Sequence, residues 1–297
     1  MKVLAIVGPT ATGKSSLAAE LASTVDGEIV NADSMQLYQG MDIGTAKPTP
    51  EQRDAVPHHL YDIWPVTHPA SVAEYQRRAL EVIRQIHDRG RLPVLVGGSG
   101  LYVRAVVDRI EFPGTDPQIR SRLEHELAAI GSEALHARLS TVDPAAAAAI
   151  LPSNGRRIVR ALEVIEMSGR PFSATLPTYT PDPGYCQIAL DRDDLDERVD
   201  ARVEQMWRDG FVEEVRGLLP LGIREGRTAS RALGYAQVLG YLAGESTSDE
   251  AKERTALETR RFVRRQRSWF RRDPRVHWLD AAADTLRKDA LAWCRAD

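Results

Sequence analysis

Residues 8–15 read GPTATGKS and directly follow the apolar run Val3-Leu4-Ala5-Ile6-Val7. The stretch fits G-x-x-x-x-G-K-[ST] in full, between a short buried strand and an amphipathic helix, which is where such a loop must lie to hold phosphate. Gly8 and Gly13 let the backbone curl so that successive N–H groups can face phosphate oxygens. Lys14 adds a mobile positive charge, Ser15 offers a hydroxyl to Mg²⁺, and the following helix aims its positive end at the anion. The candidate diphosphate or triphosphate site is therefore Gly8, Pro9, Thr10, Ala11, Thr12, Gly13, Lys14 and Ser15. The loop alone does not specify which phosphate compound binds.

Further chemistry falls at the ends of predicted strands. Glu28-Ile29-Val30 reads as a strand ending at Asn31-Ala32-Asp33-Ser34. Asp33 there is a base acting on an acceptor, a carboxylate on the magnesium side, or the cap of a short turn. Ser99 lies in Gly97-Gly98-Ser99-Gly100, where backbone can approach a ligand closely; its hydroxyl either bonds a phosphate or acceptor, or only closes a β-to-α turn. Arg156, Arg157 and Arg160 open a helix, where positive charge opposes the dipole by a few tenths to about 1 kcal/mol. That placement suits an arriving anion, or else a charged face on which Glu163 partners Arg160.

Residues 260–272 form the strongest basic feature. At about 100° per residue, Arg260, Arg264, Arg267 and Arg271 fall within about 60° of one another. Phe262, Val263, Trp269 and Phe270 occupy a separate apolar stripe by which the helix would dock. No acidic residue lies at i±4 of these arginines, so their repulsion goes unrelieved along the helix, a pattern that favours a polyanion such as RNA. Arg231-Ala232-Leu233-Gly234-Tyr235 adds an arginine beside a glycine and an aromatic, weak evidence alone. His58 and His59 have no further His, Cys or carboxylate at metal spacing and read as loop or core residues.

The elements that must position these groups alternate. Ser71-x-x-Glu74 is a capping box opening a helix with Val72, Tyr75, Ala79, Val82, Ile83 and Ile86 at helical spacing, and residues 92–96 form a buried strand. Residues 38–70 read mostly as loop. From 116 to 168 the pattern is helical only, with helices at about 117–130, 132–139, from Asp143-Pro144, and 155–167. Pro177, Pro181 and Pro183 mark the return, residues 186–190 a rejoining strand, and the remainder helices at 195–210, 211–219, 231–243 and 248–271. The expected fold is α/β, a P-loop NTPase-like parallel sheet core with an inserted all-helical domain. Its bounds are 1–112 and 180–297 for the core with C-terminal helices, and 113–179 for the insertion.

The 297 residues suffice for a large core, and 43% apolar with 27% charged is an ordinary globular composition. A net charge of −3 excludes a wholly basic nucleic-acid binder, so basic surface must be local. Two cysteines, Cys186 and Cys294, exclude a disulfide framework or Cys-rich zinc site and suit a reducing compartment. No run approaches membrane-spanning length, and the expectation is a cytoplasmic monomer.

In order along nearly the whole chain, GPTATGKS, NADSMQLYQGMDIGTAKP, LVGGSGLYVRA, NGRRIVRALEV, SRALGYAQ and RRFVRRQRSWFRRD resemble the bacterial tRNA dimethylallyltransferases, or tRNA isopentenyltransferases. The DS…Y.GMDIGTAKP block is highly specific to that family. The resemblance implies Mg²⁺-dependent transfer of a dimethylallyl group from dimethylallyl diphosphate to N6 of adenosine 37 beside the tRNA anticodon. It implies that residues 8–15 hold the donor diphosphate, that Asp33 is the general base, and that Ser34, Met35 and Gln36 join Asp33 at the target base. Lys14 and Ser99 would complete the catalytic set. Ser99 stands where the family often has threonine, keeping the hydroxyl. Arg120, Arg156, Arg157, Ile158, Val159, Arg160, Arg231, Gly234, Tyr235, Arg264, Arg267 and Arg271 match the tRNA-contacting stretches, with the helical insertion clamping the anticodon stem-loop. Ala236 is a basic residue in some members. Rival readings are a P-loop kinase with a small acceptor, a prenyltransferase for free adenosine phosphates, and a nucleotide-switched RNA-binding module.

Overall fold

The computed structural model describes residues 2–172 and 179–296, so Pro177 lies outside the described residues. Backbone contacts divide the chain into one unit of Met1–Val107 with Tyr179–Asp297 and another of Asp108–Thr178. The larger unit begins β1 (Val3–Val7), α1 (Lys14–Thr24), β2 (Gly27–Asn31), α2 (Pro50–Ala55), β3 (His58–His59), α3 (Val72–Asp88), β4 (Leu92–Gly97) and α4 (Gly100–Val107). It resumes with β5 (Tyr185–Asp191), then α8 (Leu195–Arg208), α9 (Phe211–Leu218), α10 (Tyr235–Leu242), α11 (Ser248–Phe270), β6 (His277–Asp280) and α12 (Leu286–Ala296). The smaller unit holds α5 (Pro117–Val142), α6 (Pro144–Ala149) and α7 (Gly155–Ser168).

All pairings are parallel, in the order β3-β2-β4-β1-β5-β6. Strands covered on both faces are mostly apolar, and β1, β2 and the centre of β5 are buried at each position, with Glu28, Asn31 and Gln187 as the buried polar exceptions. Alternation sorts them: Val3, Ala5 and Val7 face a layer containing Tyr75, Tyr102, Phe211 and Tyr235, whereas Leu4 and Ile6 face Leu17, Leu21 and Ala290 of α1 and α12. The sheet leaves β1 in both directions, so the loops after β1 and β4 and the end of β2 meet at one edge of the barrel-free, open sheet. They meet closely. A Cβ on Gly97 would lie 2.2 Å from the Ala32 carbonyl oxygen, and one on Gly8, at φ +124°, 2.6 Å from that of Leu190.

Caps set the helix starts. Ser71 accepts from the Glu74 N–H at α3, and Thr247 makes a capping box with Glu250 at α11. The stretch 38–70, expected to be mostly loop, contains α2 and the two-residue edge strand β3, both too short for a periodic signal. The expected all-helical C-terminal region contains β6, which pairs with β5, and the helix expected from 231 starts at Tyr235 because Gly234 sits at φ +85°. In the smaller unit Gly131, at φ +82°, breaks α5 into two helical runs, and Asp143 accepts from the Ala146 N–H at the start of α6. Leu123, Leu135, Leu139, Ile158 and Leu162 form that unit's own core. Its polar hub is the buried Glu163, which binds Arg120 and Arg160 and accepts from the Asp116 N–H.

His58 and His59 are on β3; His59 bonds the carboxylate of Glu28, which is 2% exposed and also binds Arg89 and Arg91. Burial pushes that carboxyl up, but hydrogen bonds from Arg89 and His59 win and hold it down at about 2. The charged network pins the edge strand to the α3–β4 turn. Glu28→Gln is expected to reduce stability at pH 7 by about 2 kcal/mol. Because the folded-state value is depressed, the gap between wild type and variant should be full above about pH 4.5 and close as pH falls toward about 2. Thermal unfolding across that range measures it; a gap independent of pH would place the effect in packing instead of charge.

Candidate active site

Gly13 precedes α1 at φ +91° with no side chain capping the helix, which leaves the first N–H groups available to an anion. The loop before it is held in shape by its own contacts. Thr12 Oγ1 and the Lys14 ammonium both donate to the Pro9 carbonyl, while Arg198 donates to that of Ala11. Thr10 is held from two helices: its N–H donates to Gln266 Oε1 of α11 at 2.9 Å, and its hydroxyl accepts from Arg202 of α8 at 3.0 Å. Burial pushes the Lys14 amine down to about 7, with Arg202 adding to the effect and Asp33 working against it.

Asp33 follows β2. The buried Asn31 fixes its backbone, accepting from the Asp33 N–H at 2.8 Å and donating to the Asp33 and Leu60 carbonyls. One carboxylate oxygen of Asp33 accepts from the Met35 N–H at 3.0 Å, so the short-turn reading holds for that oxygen. Ser99, after β4, accepts from the Ser34 N–H and lies 3.1 Å from the Ser34 hydroxyl, tying the two strand ends together. Gln36 is mostly buried and donates to the Thr45 and Ala46 carbonyls, which makes it a brace for the 41–47 loop. Glu214 braces the same loop through the N–H groups of Asp42 and Ile43, and it accepts from the Tyr235 hydroxyl at 2.6 Å.

Two adjoining cavities result. One, of about 470 Å³, is lined by Lys14, Ser15, Tyr61, Gly98 and Arg198. The other, of about 320 Å³, is lined by Ser34, Met35, Ser99, Arg231, Gly234, Tyr235 and Phe262. Thr10, Asp33, Thr45 and Arg202 line both. A cationic, phosphate-sized end therefore opens onto a mixed polar and apolar chamber, with Asp33 and Arg202 where they meet. Among the described residues no group of three His, Cys, Asp or Glu could hold a metal ion.

The basic helix differs from expectation. Its arginines do find carboxylates, supplied by other elements rather than by the helix: Arg260 binds Asp200, Arg264 binds Asp196, and Arg267 and Arg271 share Asp191. Arg264 and Arg271 stay well exposed, and Arg265, at the rim of the smaller cavity, has no carboxylate partner among the described residues. Of the apolar stripe, Val263 and Phe270 are buried, Phe262 lines the cavity, and Trp269 remains partly exposed. In the smaller unit Arg156 and Arg157 are exposed. Ile158 and Val159, expected among the RNA-contacting residues, are core residues there, and Arg120 and Arg160 are engaged with Glu163, as the ion-pair reading of Arg160 anticipated. Arg202 and Gln266 were not singled out from sequence. Arg202 sits in an acid-rich helix that reads as solvated surface; Gln266 did carry a signal, as the lone neutral position in RRQR.

Because an arriving anion raises the Lys14 pKa from about 7, binding above that pH should take up a proton, and affinity should decline as pH rises further. Calorimetry of inorganic pyrophosphate binding at about pH 8, in buffers of differing ionisation enthalpy, is expected to show about half to one proton more taken up by wild type than by Lys14→Met. Equal uptake would remove Lys14 from the anion site.

A family model described as IPP transferase matches residues 36–273. The chain is 64% identical over 296 residues to a tRNA dimethylallyltransferase of Salinispora arenicola, covering 99% of this chain and 86% of that one. It is 65% identical over 294 residues to one of Streptomyces coelicolor, covering 98% and 94%. Among solved structures, a full-length tRNA isopentenylpyrophosphate transferase of Bacillus halodurans matches with a TM-score of 0.73 at 41% identity, over 99% of this chain and 95% of that chain. A eukaryotic dimethylallyltransferase caught acting on tRNA matches with a TM-score of 0.79 at 25% identity, over 99% and 77%. The family model spans most of the chain, and the relatives and solved structures extend the match over the glycine loop, Asp33 and the whole sheet; the chain belongs to the IPP transferase family.

Proposed function

We propose that this protein transfers a dimethylallyl group from dimethylallyl diphosphate to N6 of adenosine 37 of tRNA, releasing pyrophosphate. The observation that carries the mechanism is the shared wall of the two cavities, where Asp33 and Arg202 stand between the phosphate loop and the chamber. The donor's diphosphate lies on the loop, against Lys14, Arg202 and the open N-terminus of α1, and its apolar group points toward the chamber. An adenine amine is a poor nucleophile because its lone pair is delocalised into the ring, so a carboxylate must accept its proton as the C–N bond forms. Asp33 has one oxygen committed to Met35, which orients the group and leaves the other oxygen to take that proton. The allylic carbon tolerates positive charge, which makes departure of pyrophosphate the main barrier. Lys14 and Arg202, both shielded from solvent by burial, stabilise the charge that builds there.

Mg²⁺ fits the donor set present. Ser15 offers an exposed hydroxyl beside Lys14 without a protein carboxylate cage, the setting in which Mg²⁺ is held by a hydroxyl, phosphate oxygens and water. When bound it supplies neutralising charge to the diphosphate. The base must leave its stack, which costs a few kcal/mol and is offset by backbone contacts to arginine. Arg231 and Arg265 at the chamber rim, the exposed Arg264 and Arg271, and Arg156 and Arg157 of the smaller unit suit that role.

Single-turnover transfer from radiolabelled dimethylallyl diphosphate to unmodified tRNA tests the reading. Wild type should label adenosine 37, and Asp33→Ala should lose about 10²–10⁴-fold in rate, the usual worth of a general base, while still binding tRNA. Turnover of ATP with a small acceptor and no labelling of RNA would instead favour a kinase.

A further inference from the structure

The phosphate loop and the Ser99 turn follow different strands, β1 and β4, yet both must stand in register for donor and acceptor to meet. One side chain bridges them. Gln266 of α11 is 5% exposed; its carbonyl oxygen accepts from the Thr10 N–H at 2.9 Å, and its amide donates to the Gly98 carbonyl at 2.8 Å. The turn is shaped for it, since a Cβ on Gly98 would lie 2.2 Å from Gln266 Nε2. The neighbouring residues hold α11 over the same strand ends. Arg267 binds Asp191 at the end of β5, and Trp269 packs so closely on Gly100 that a Cβ there would come within 2.1 Å of its indole. Gln266 itself lines neither cavity, so it is not in contact with the reacting groups.

We propose that Gln266 is a positioning residue for the diphosphate site: its amide sets the entrance of the phosphate loop against the Ser99 turn, so that the remaining loop N–H groups and Lys14 converge on one anion. The primary amide serves both partners at this reach, because one needs an acceptor and the other a donor. The thioether of Met, similar in length but with no donor and only a weak acceptor, strands the Gly98 carbonyl and leaves the Thr10 N–H poorly served, and a carboxylate keeps the first bond while facing the Gly98 oxygen with like charge. The inference rests on the transferase reading for its substrate but not for its measurement.

The test compares wild type, Gln266→Met and Gln266→Glu for inorganic pyrophosphate affinity, tRNA affinity, thermal midpoint, and the donor KM and kcat. Both variants should fold with midpoints within about 5 °C of wild type, as expected for loss of about one interior bond pair, and bind tRNA within about twofold. Pyrophosphate affinity should fall about tenfold in Gln266→Met and further in Gln266→Glu, with donor KM rising in proportion and kcat changing less. Unchanged pyrophosphate affinity in the folded variants would overturn the proposal. So would failure of both to fold, which would assign Gln266 to stability alone. Normal pyrophosphate effects without any prenyl transfer by wild type would leave this inference standing and sink the transferase reading.

Discussion

Two cations and a carboxylate share one crevice: Lys14, Arg202 and Asp33. Burial pushes Lys14 and the Arg202 guanidinium down, while Asp33 pulls both back up. Two buried cations beside one carboxylate leave positive charge in excess, which is costly to bury and suits the arrival of an anion. In the proposed reaction a diphosphate would supply the balancing negative charge, and its departure as pyrophosphate would be the step at which fixed positive charge matters most. The rest of the larger unit serves to hold these three groups within reach of one another.

That holding is done by backbone proximity and by braces rather than by the ligand-facing residues. Parallel strands put the ends of β1, β2 and β4 side by side, and Gly8 and Gly97 permit approaches that any Cβ would block. Asn31 orients Asp33, Ser34 and Ser99 join two strand ends, and Gln36 with Glu214 fixes the 41–47 loop over the crevice. Lys47, buried between Asp42 and Asp62, ties the same loop to the chain that follows it. A network of this kind is satisfied by fixed partners, which preorganises the site before substrate arrives.

The glycine loop, the parallel core and the helical stretch were legible because each has a local signature: spacing, alternation of apolar runs, and caps such as Asp143-Pro144. Asp33 was legible as a position; the Met35 bond bears out the turn reading for one of its oxygens, and the base and magnesium readings both fall to the other. What sequence could not show is long-range. The acidic partners of Arg260, Arg264, Arg267 and Arg271 lie 60 or more residues away, so a helix that looks like bare positive charge is largely paired. Arg202 escaped notice for the same reason, since its burial is imposed by the loops at 10 and 45 rather than by its own helix. The strand β6, four residues long and with its last position exposed, has no pattern distinguishable from a loop. Ile158 and Val159 lay within a stretch matched as a block, and burial separates them from the exposed Arg156 and Arg157 beside them.

The central claim is that donor and acceptor meet across the wall formed by Asp33 and Arg202. A co-crystal structure with a non-hydrolysable thio analogue of dimethylallyl diphosphate and an anticodon stem-loop tests it most directly. The account predicts the diphosphate on the loop against Lys14 and Arg202, with an extruded adenine in the chamber and its N6 within hydrogen-bond distance, about 3 Å, of the Asp33 carboxylate. An adenine bound elsewhere, or a donor whose diphosphate avoids the loop, would contradict it.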